Sequence, residues 1–410
     1  MKTESLNTLK AEVSDTLCLA KFHEATIWLY SGKIASCHHT PLVPLGTTPI
    51  TFFNPTEKRI QQSKMVAGQR PTECGYCWNL EDKNVVSDRY KKSISFKSSL
   101  TAKDYLDPTY NFKPKALEIS FQRLCNLACS YCSSDYSTLW SDDIVKNGNY
   151  TAITTDKRLH YQRGVTQDTP VDMNLFWSWF NDVANGIESI RVTGGEPLLH
   201  EETFMMLNTM QAINPDVEFV VHTNLCQKPT IIERFVDKIS AFKTVRINIS
   251  NESAGDVAEF IRDGMNYALW LDNLRVLSGS NANLSVSTSI TALSLTQLDQ
   301  MYKDIIALRK TTHQKPYIAI NFVTYPEFQS IACLTQAELL KYYQHYSEFF
   351  ASIADDLLEI EHSHVERLLT MLRDSTEHAD QPALRRDYYS FFEQYSRRRN
   401  KINLSNRIDL

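Results

Sequence analysis

Cysteines are the residues of this sequence whose spacing points most clearly to chemistry. The 410-residue chain has nine of them, and seven precede residue 133 in two groups with short internal spacings. In a chain predicted to be cytosolic, an odd number of cysteines favours thiolates that bind metal or react over a disulfide framework. The two groups are therefore the first candidates for functional sites.

The group nearer the middle of the chain is Cys125, Cys129 and Cys132, with the spacing C-x3-C-x2-C after a predicted strand. Three thiolates on one loop can bind three irons of a [4Fe-4S] cube and leave the fourth iron without a protein ligand. That open iron could coordinate a chelating substrate or cofactor. Zinc bound by three cysteines and a water is the alternative that the spacing leaves open.

A second motif, the run Gly194, Gly195, Glu196, Pro197, follows the next predicted strand. Two glycines let the backbone approach a ligand closely, and the carboxylate can accept hydrogen bonds from an ammonium group. Alone, such a run is more typical of a turn that ends a strand. Its position one βα unit after the C-x3-C-x2-C loop makes it more specific.

The N-terminal group comprises Cys18, Cys37, Cys74 and Cys77, of which the last two form a C-x2-C knuckle. A knuckle and two further cysteines complete a four-thiolate site, and by spacing alone zinc is its default metal. The pattern predicts a small metal-stapled domain over residues 1–112. A capped helix over residues 58–67 is predicted between the two cysteine pairs.

The elements that must position these motifs are predicted from an alternation of short apolar runs and helix-period segments between residues 113 and 330. The alternation indicates repeated βα units around a parallel sheet, with helical crossovers. The predicted strands are 116–121, 189–193, 217–223, 245–250, 284–290 and 317–323. The predicted helices are 174–187, 202–213, 231–242, 256–277 and 295–308. The polar stretch 133–169 is predicted to be an insertion or active-site loop.

The two ends of the chain differ from this centre. Residues 1–112 show no βα alternation, whereas the charge-rich segments after Pro326 have helical period. The predicted domains are therefore 1–112, 113–330 and a helical 331–410. The basic end Arg397 to Arg399, with aromatic residues nearby, could bind RNA or an acidic peptide, although a solvated helix end is favoured.

Composition excludes several classes of protein. Hydrophobic residues make up 42% of the chain and charged residues 22%, which is typical of a folded soluble domain. The formal net charge of −5 provides no global field that would attract nucleic acid or anionic lipid. No apolar run approaches the ~18 residues of a membrane-spanning helix, and the first residues lack the apolar core of a signal peptide. We expect a cytoplasmic protein without a membrane partner.

The order of these motifs on successive predicted strands resembles that of the radical S-adenosylmethionine (radical SAM) enzymes over residues 113–330. The resemblance implies an α/β fold, a partial (β/α)6 barrel with its active site at the carboxyl ends of the strands. It implies a [4Fe-4S] cluster at Cys125, Cys129 and Cys132. It also implies S-adenosylmethionine bound by Tyr131, Gly194, Gly195, Glu196, Pro197, Asn224, Ser250, Arg262 and Ser287.

The same resemblance implies the reaction. The reduced cluster cleaves S-adenosylmethionine to a 5′-deoxyadenosyl radical, which removes hydrogen from a peptide, amino acid or other small molecule. The electron comes from a donor such as flavodoxin or ferredoxin. The run Ser250-Asn251-Glu252-Ser253 stands where members of this branch often have Ser-Leu-Asp-Gly, so the resemblance assigns no role to Asn251.

The N-terminal cysteines resemble the auxiliary-cluster half of the SPASM and twitch domains that accompany radical SAM barrels. The resemblance implies that Cys18, Cys37, Cys74 and Cys77 hold one auxiliary [4Fe-4S] cluster. In those families the module usually follows the barrel, whereas here it precedes it, and the second part of a full SPASM motif is missing. The alternative is a zinc-stapled nucleic-acid or protein-binding module on a non-catalytic barrel. Radical chemistry on RNA is a third candidate.

Overall fold

The structure is a computed structural model that describes residues 3–96, 100–161 and 168–409. Residues 97–99 of the predicted N-terminal domain and residues 162–167 of the predicted insertion lie outside the described residues. The chain forms two compact units. The first comprises Met1–Gln122, Gln167–Thr193 and Met205–Phe219, and the second comprises Arg123–Thr166, Gly194–Phe204 and Val220–Leu410.

All six predicted strands are present, and each observed boundary lies within one residue of the predicted one. Their apolar runs are short and bounded by turn residues, which is the pattern of strands buried in a parallel sheet. The strands are β1 (Glu24–Trp28), β2 (Lys33–Ala35), β3 (Val43–Pro44), β4 (Ala116–Ser120), β5 (Ala128–Cys129), β6 (Ser189–Thr193), β7 (Glu218–Thr223), β8 (Thr244–Ser250), β9 (Arg262–Asp263), β10 (Asn283–Ile290) and β11 (Tyr317–Phe322).

The helices alternate with the strands in the middle of the chain and follow one another after β11. They are α1 (Thr3–Glu12), α2 (Leu19–His23), α3 (Thr56–Val66), α4 (Gly75–Glu81), α5 (Asp88–Ser95), α6 (Ala102–Leu106), α7 (Thr138–Asn147), α8 (Met173–Val183), α9 (Glu201–Ile213), α10 (Pro229–Ile239), α11 (Gly255–Ile261), α12 (Tyr267–Leu277), α13 (Leu298–Arg309), α14 (Gln336–Ser352), α15 (Glu359–Asp374) and α16 (Gln381–Arg399). The predicted α/β fold with a helical C-terminal region is confirmed. Among the described residues, no helix combines the length and apolar character needed to cross a membrane.

In the first unit the strands lie in the order β6-β4-β1-β2-β3. Strand β4 pairs in parallel with both β6 and β1, while β1 pairs antiparallel with β2. Residues 1–112, whose sequence shows no βα alternation, thus contribute a strand to this sheet, because Glu24 to Trp28 lie opposite Ala116 to Ser120. Strand β1 has only three consecutive buried residues, which is too short a run to stand out among turn-rich neighbours.

In the second unit the strands lie in the order β7-β8-β10-β11, and β10 pairs in parallel with β8 and with β11. The short strands β5 and β9 form a separate antiparallel ladder. In that ladder Cys129 lies opposite Arg262, and Ala128 lies opposite Asp263. The ladder therefore connects the C-x3-C-x2-C loop to the segment that follows α11.

The single helix predicted over residues 256–277 is instead two helices, α11 and α12, separated by β9. Gly264 breaks the helix with a left-handed φ of 97°. A Cβ at Gly264 would lie 2.7 Å from the carbonyl oxygen of Asn126. Asn266 then begins α12, because its side chain accepts a 2.8 Å hydrogen bond from the backbone N–H of Leu269. Apolar residues keep helical spacing across the break, so periodicity alone does not reveal it.

Candidate metal centres

The residues 123–132, here called the thiol loop, lie in the second unit and carry Cys125, Cys129 and Cys132. Burial raises the pKa of the Cys125 thiol to about 12, and the charge of Cys129 adds to the effect. Burial raises the pKa of Cys132 as well, with further contributions from Cys129 and Cys125. These interactions place the three sulfurs near one another, so a bound cation would stabilise all three thiolates together.

Hydrogen bonds from buried side chains support the backbone of the thiol loop. The indole N–H of Trp140 donates to the Cys129 carbonyl at 2.9 Å, and the Tyr395 hydroxyl donates to the Ala128 carbonyl at 2.8 Å. The amide of Gln329 donates to the Ser130 carbonyl at 2.9 Å. All three donors are fully buried. Sequence analysis missed them because buried aromatic and amide residues show only the pattern of an ordinary core.

The Gly194–Gly195 turn lies directly against the thiol loop. Both glycines have positive φ, 86° and 46° respectively. A Cβ at Gly195 would lie 2.2 Å from the carbonyl oxygen of Leu124, and the backbone N–H of Glu196 donates to that same oxygen at 2.9 Å. Only glycine fits this position, because any side chain would overlap the backbone of the thiol loop.

The carboxylate of Glu196 is fully buried. It accepts hydrogen bonds from the Thr223 hydroxyl at 2.7 Å, the Asn224 backbone N–H at 2.6 Å and the Leu198 backbone N–H at 3.1 Å. Burial raises the pKa of Glu196 to about 7 despite these bonds. Because an ionised carboxylate has about four acceptor positions, one remains for a donor on a ligand. The Pro197 that follows is buried and begins a short 3-10 turn.

Asn224 is connected to the thiol loop by its side chain. Its amide Nδ2 donates to the Asn126 side-chain oxygen at 2.9 Å and lies 3.8 Å from the Cys125 sulfur. In turn the Asn126 amide donates to the Cys226 carbonyl at 2.7 Å. The structure thus brings the predicted residues Asn224, Glu196 and Cys125 into one site.

Arg262 forms a buried network with Glu252 and Tyr131. Its guanidinium donates to the Glu252 carboxylate at 2.7 Å and 2.5 Å and to the Tyr131 hydroxyl at 2.7 Å. A further guanidinium nitrogen lies 3.4 Å from the sulfur of Cys129. Arg262 is therefore not a solvated surface residue, and Glu252 neutralises its charge. Sequence analysis missed Glu252, although the departure from the family pattern at residues 250–253 marked its position.

Ser250 and Ser287 lie opposite each other in the β8–β10 ladder, and the backbone N–H of Asn251 donates to the Ser287 carbonyl at 3.3 Å. Both serines are half-buried. Within the described part of the chain, no hydrogen bond joins either serine side chain to the thiol loop. Their predicted contact with a cofactor stays a prediction.

The N-terminal cysteines form a second site, which lies in the first unit. Cys18, Cys37, Cys74 and Cys77 line one cavity together with Lys21 and other side chains. Burial raises the pKa of Cys18 to about 12, and the charges of Cys37 and Cys74 contribute to the increase. Burial and the charge of Cys37 also raise the pKa values of Cys74 and Cys77. The four thiols are therefore close enough to interact.

Local structure explains how distant cysteines meet there. Cys18 precedes α2, Cys37 follows β2, and the knuckle spans the beginning of α4. The helix predicted between the cysteine pairs is α3, with Pro55 before its first turn. His39 lies at the same cavity, where its ring stacks on Tyr76 and its Nε2 lies 2.8 Å from the Asp88 carboxylate.

The donor chemistry of both sites fits thiolate-bound metal. Buried thiols in sets of three and four are the donors that iron–sulfur clusters and zinc use. A bound metal ion would stabilise the thiolates and so lower the pKa values that burial raises. Across residues 3–96, 100–161 and 168–409, no three His, Cys, Asp or Glu side chains are arranged to hold a single metal ion.

The basic end of α16 differs from the solvated helix end that the sequence favours. The side chains of Arg398 and Arg399 are less than a tenth exposed. Arg398 pairs with Asp143 at 3.3 Å, and Arg399 pairs with Asp263 at 3.1 Å. Two of the three arginines that suggested RNA binding are thus used inside the second unit.

Comparisons with known proteins agree with the motif order. Residues 119–309 match the family model described as the Radical SAM superfamily. Two curated relatives, both named GTP 3′,8-cyclase, are 23% identical over 237 residues in Sulfurimonas denitrificans and 24% identical over 218 residues in Alkaliphilus oremlandii. These matches cover 57% and 52% of this chain. They span less than two thirds of each relative, 64% and 57%.

Solved structures with similarity to the chain include two with bound S-adenosylmethionine. The match to Streptococcus suis SuiB, at 11% identity, covers 83% of this chain and 69% of the SuiB chain, with a TM-score of 0.35. The match to the protein anSMEcpe, at 13% identity, covers 65% of this chain and 68% of the anSMEcpe chain, with a TM-score of 0.41. A further SuiB structure contains the precursor peptide SuiA, at 10% identity, 83% and 70% coverage and a TM-score of 0.36.

Proposed function

Because residues 119–309 match the Radical SAM superfamily, we propose that this chain is an enzyme that uses a [4Fe-4S] cluster at Cys125, Cys129 and Cys132. When bound, the cluster supplies one electron to the sulfonium of S-adenosylmethionine, which breaks into methionine and a 5′-deoxyadenosyl radical that abstracts hydrogen from the substrate. The observation that carries the proposal is the meeting of three interacting thiols and the buried Glu196 carboxylate in one site.

The residues around the thiol loop have separate proposed roles. Three thiolates leave one of four irons without a protein ligand, and the amino and carboxylate groups of S-adenosylmethionine would bind there. Glu196 would accept a charge-assisted hydrogen bond from the amino group through its remaining acceptor position. Gly194 and Gly195 let the backbone approach the cofactor. Asn224, Ser250 and Ser287 would contribute amide and hydroxyl groups.

Arg262 has a more restricted proposed role than the resemblance alone implies. Since Glu252 already neutralises its charge, Arg262 would orient the Tyr131 ring and donate toward the Cys129 sulfur. Tyr131 would contact the cofactor through its ring. We do not assign Arg262 to the carboxylate of S-adenosylmethionine, because its positive charge is already paired with Glu252.

For the N-terminal site we propose one auxiliary [4Fe-4S] cluster bound by all four cysteines. A fully ligated cluster has no open iron, so its role would be electron transfer, substrate placement or structure. The proposed substrate is a peptide, an amino acid or another small molecule. The proposed electron donor is a small redox protein such as flavodoxin or ferredoxin.

The test is anaerobic reconstitution followed by measurement of iron, sulfide and 5′-deoxyadenosine. We expect about eight irons per chain, a brown colour that dithionite bleaches, and 5′-deoxyadenosine formation from S-adenosylmethionine. Replacing Cys125, Cys129 and Cys132 together by Ala should abolish cleavage and leave about four irons. Replacing Cys333 by Ala is the matched control and should change neither, because this buried cysteine lies outside both thiol sets. Cleavage by the triple variant, or a colourless zinc protein, would contradict the proposal.

A further inference from the structure

A buried lysine lies within the N-terminal four-thiol site. Lys21, in α2, is 1% exposed, and its ammonium donates to the Gln61 side-chain oxygen at 2.6 Å. It also lines the cavity of the four cysteines, beside the Cys74 thiol. Burial raises the pKa of Cys74, and the positive charge of Lys21 opposes that effect. The lysine and the thiol are therefore direct neighbours.

The surroundings of Lys21 offer little compensation for a buried charge. A buried ammonium is costly unless an anion lies beside it. Among the described residues the ammonium of Lys21 donates to a neutral amide, and no carboxylate forms an ion pair with it. Its charge also acts on Cys18, since it lowers the pKa that burial raises. Thiolates of the site are therefore the counter-charges that the fold provides.

A second buried lysine provides a contrast. Lys58, in α3, is also 1% exposed, but its ammonium donates to the Glu24 carbonyl at 3.4 Å and lies 3.3 Å from the centre of the Phe53 ring. Burial, followed by the charge of Lys21, lowers the pKa of Lys58 well below its usual range. Lys58 is not among the residues that line the cavity of the four cysteines, so it matches Lys21 in burial but not in proximity to the thiols.

The charge of the proposed cluster explains what such a lysine would do. Four thiolates and an oxidised [4Fe-4S] core together carry two negative charges, and one-electron reduction adds a third. The potential of an iron–sulfur cluster depends on net charge, hydrogen bonds to the sulfurs and burial. A buried cation beside the ligand sulfurs stabilises the reduced state more than the oxidised state, because the reduced state is more negative.

We infer that Lys21 is a positioning residue that raises the one-electron reduction potential of the auxiliary cluster through its buried charge beside the ligand sulfurs. The inference rests on the proposed function, because it requires an iron–sulfur cluster at the four N-terminal cysteines. Lys21 contributes no ligand to iron. With the charge of Lys21 beside it, the cluster is a better electron acceptor than the same cluster would be without that charge.

The experiment uses the full chain with Cys125, Cys129 and Cys132 replaced by Ala, so that only the N-terminal cluster is present. The midpoint potential is measured anaerobically by electron paramagnetic resonance and visible absorbance. Lys21→Met should lower the ratio of reduced to oxidised cluster at a fixed solution potential at least tenfold, a midpoint shift of about 59 mV to more negative values. Lys21→Arg keeps the charge and should shift the midpoint less, while Lys58→Met, the matched control, should shift it by less than half as much as Lys21→Met.

The outcomes separate the inference from the function on which it rests. Unchanged potential in an iron-replete Lys21→Met protein overturns the inference and leaves the auxiliary cluster in place. Zinc or no metal in the parent protein overturns the auxiliary cluster and the inference with it. If Lys21→Met does not fold, Lys21→Gln retains a hydrogen-bond donor without charge. A potential in Lys21→Gln equal to that of the parent then overturns the inference.

Discussion

The thiol loop and the N-terminal four-thiol site use the same side chain and differ in the number of ligands and in the charges nearby. The thiol loop provides three cysteines with the buried carboxylate of Glu196 close by. The N-terminal site provides four cysteines with the unneutralised ammonium of Lys21. A missing ligand suits a centre that must bind a cofactor, whereas a complete set suits one that exchanges only electrons.

The two cysteine sites also differ in the charged side chains that surround them. Near the thiol loop the positive charge of Arg262 is neutralised by Glu252. The other charged group there is the fully buried carboxyl of Glu196, which can only add negative charge. Near the N-terminal site Lys21 has no carboxylate partner among the described residues. Arg89 and Lys92 also line the cavity, but they are paired with Glu81 and Glu24. Because positive surroundings stabilise a reduced cluster, the N-terminal cluster should have the higher reduction potential. The protein environment would then assign two different tasks to chemically similar clusters.

The largest effect expected from this comparison follows loss of the N-terminal cluster. Replacing Cys74 and Cys77 by Ala should halve the iron content and suppress product formation, because a complete thiolate set is lost. Cleavage of S-adenosylmethionine should continue slowly with dithionite, since the thiol loop is unchanged. Iron content and 5′-deoxyadenosine are measured on the soluble protein. An iron content and a rate of product formation that both stay unchanged would contradict the proposal of an auxiliary cluster at these cysteines.

A large structural effect is expected at the turn against the thiol loop. Gly195→Ala would place a methyl group 2.2 Å from the Leu124 carbonyl in a left-handed conformation, which should cost about 3 kcal/mol of unfolding free energy. The matched control is Gly68→Ala, where φ is also positive but the nearest atom, the Ser14 hydroxyl oxygen, lies at an ordinary contact distance of 3.9 Å from the added group. It should cost about 1 kcal/mol. Denaturant unfolding measures both, and equal losses would contradict the close approach.

A smaller effect, on cofactor affinity, is expected at Glu196. Its carboxyl has a pKa of about 7, so the ionised form that binds an ammonium group increases between pH 6 and pH 8. Affinity for S-adenosylmethionine should rise over that range, and Glu196→Gln should lower it about tenfold at pH 8 and make it independent of pH. Equilibrium dialysis measures this. A parallel rise in the variant would show that another group titrates.

The stability of the cofactor-free protein should respond to pH in the opposite direction at the same residue. Burial raises the pKa of Glu196 in the folded state above its ordinary value, so the folded protein binds the proton more tightly than the unfolded chain. The contribution is present in acid and is lost as the pH rises through about 7. Glu196→Gln should remove this loss, and thermal unfolding at pH 5 and pH 8 measures the difference.

The smallest effect is expected at the hydroxyl that supports the thiol loop. Tyr395→Phe removes its 2.8 Å hydrogen bond to the Ala128 carbonyl and should cost about 1 kcal/mol. The control Tyr388→Phe removes an equally buried hydroxyl that donates to Ser405 instead. Only Tyr395→Phe should speed iron loss to a chelator, because only that hydroxyl contacts the loop. Equal rates in the two variants would assign Tyr395 to packing alone.

Local pattern explains how much of this architecture is predictable from the sequence. The strands from β4 to β11 that form the parallel ladders are predictable, because each is a short apolar run between turn residues. The two cysteine groups and the Gly194–Gly195 turn are predictable as motifs, because their chemistry depends on spacing within a few residues. The roles of the cysteines as metal ligands stay predictions.

The unpredicted features depend on long-range packing. Glu252 and Arg262, which flank α11, form a buried ion pair, and Gly264 then interrupts a helical pattern whose apolar spacing continues unchanged. Lys21 resembles a surface lysine in sequence, and only the packing of α2 against α5 and α3 buries it. Burial of Arg398 likewise depends on Asp143, 255 residues earlier in the chain. No window of neighbouring residues contains that information.

The hydrogen bond from Tyr395 to Ala128 connects residues 267 positions apart, and this separation has a consequence for biosynthesis. Translation proceeds from the N-terminus, so the thiol loop leaves the ribosome long before α16 exists. During that interval the loop lacks the support of Tyr395, and its cysteines are exposed to oxidation and to adventitious metals. In the proposed enzyme, iron and sulfide would therefore be delivered after α16 has been synthesised and has docked, and assembly of the cluster would be a late, post-translational event.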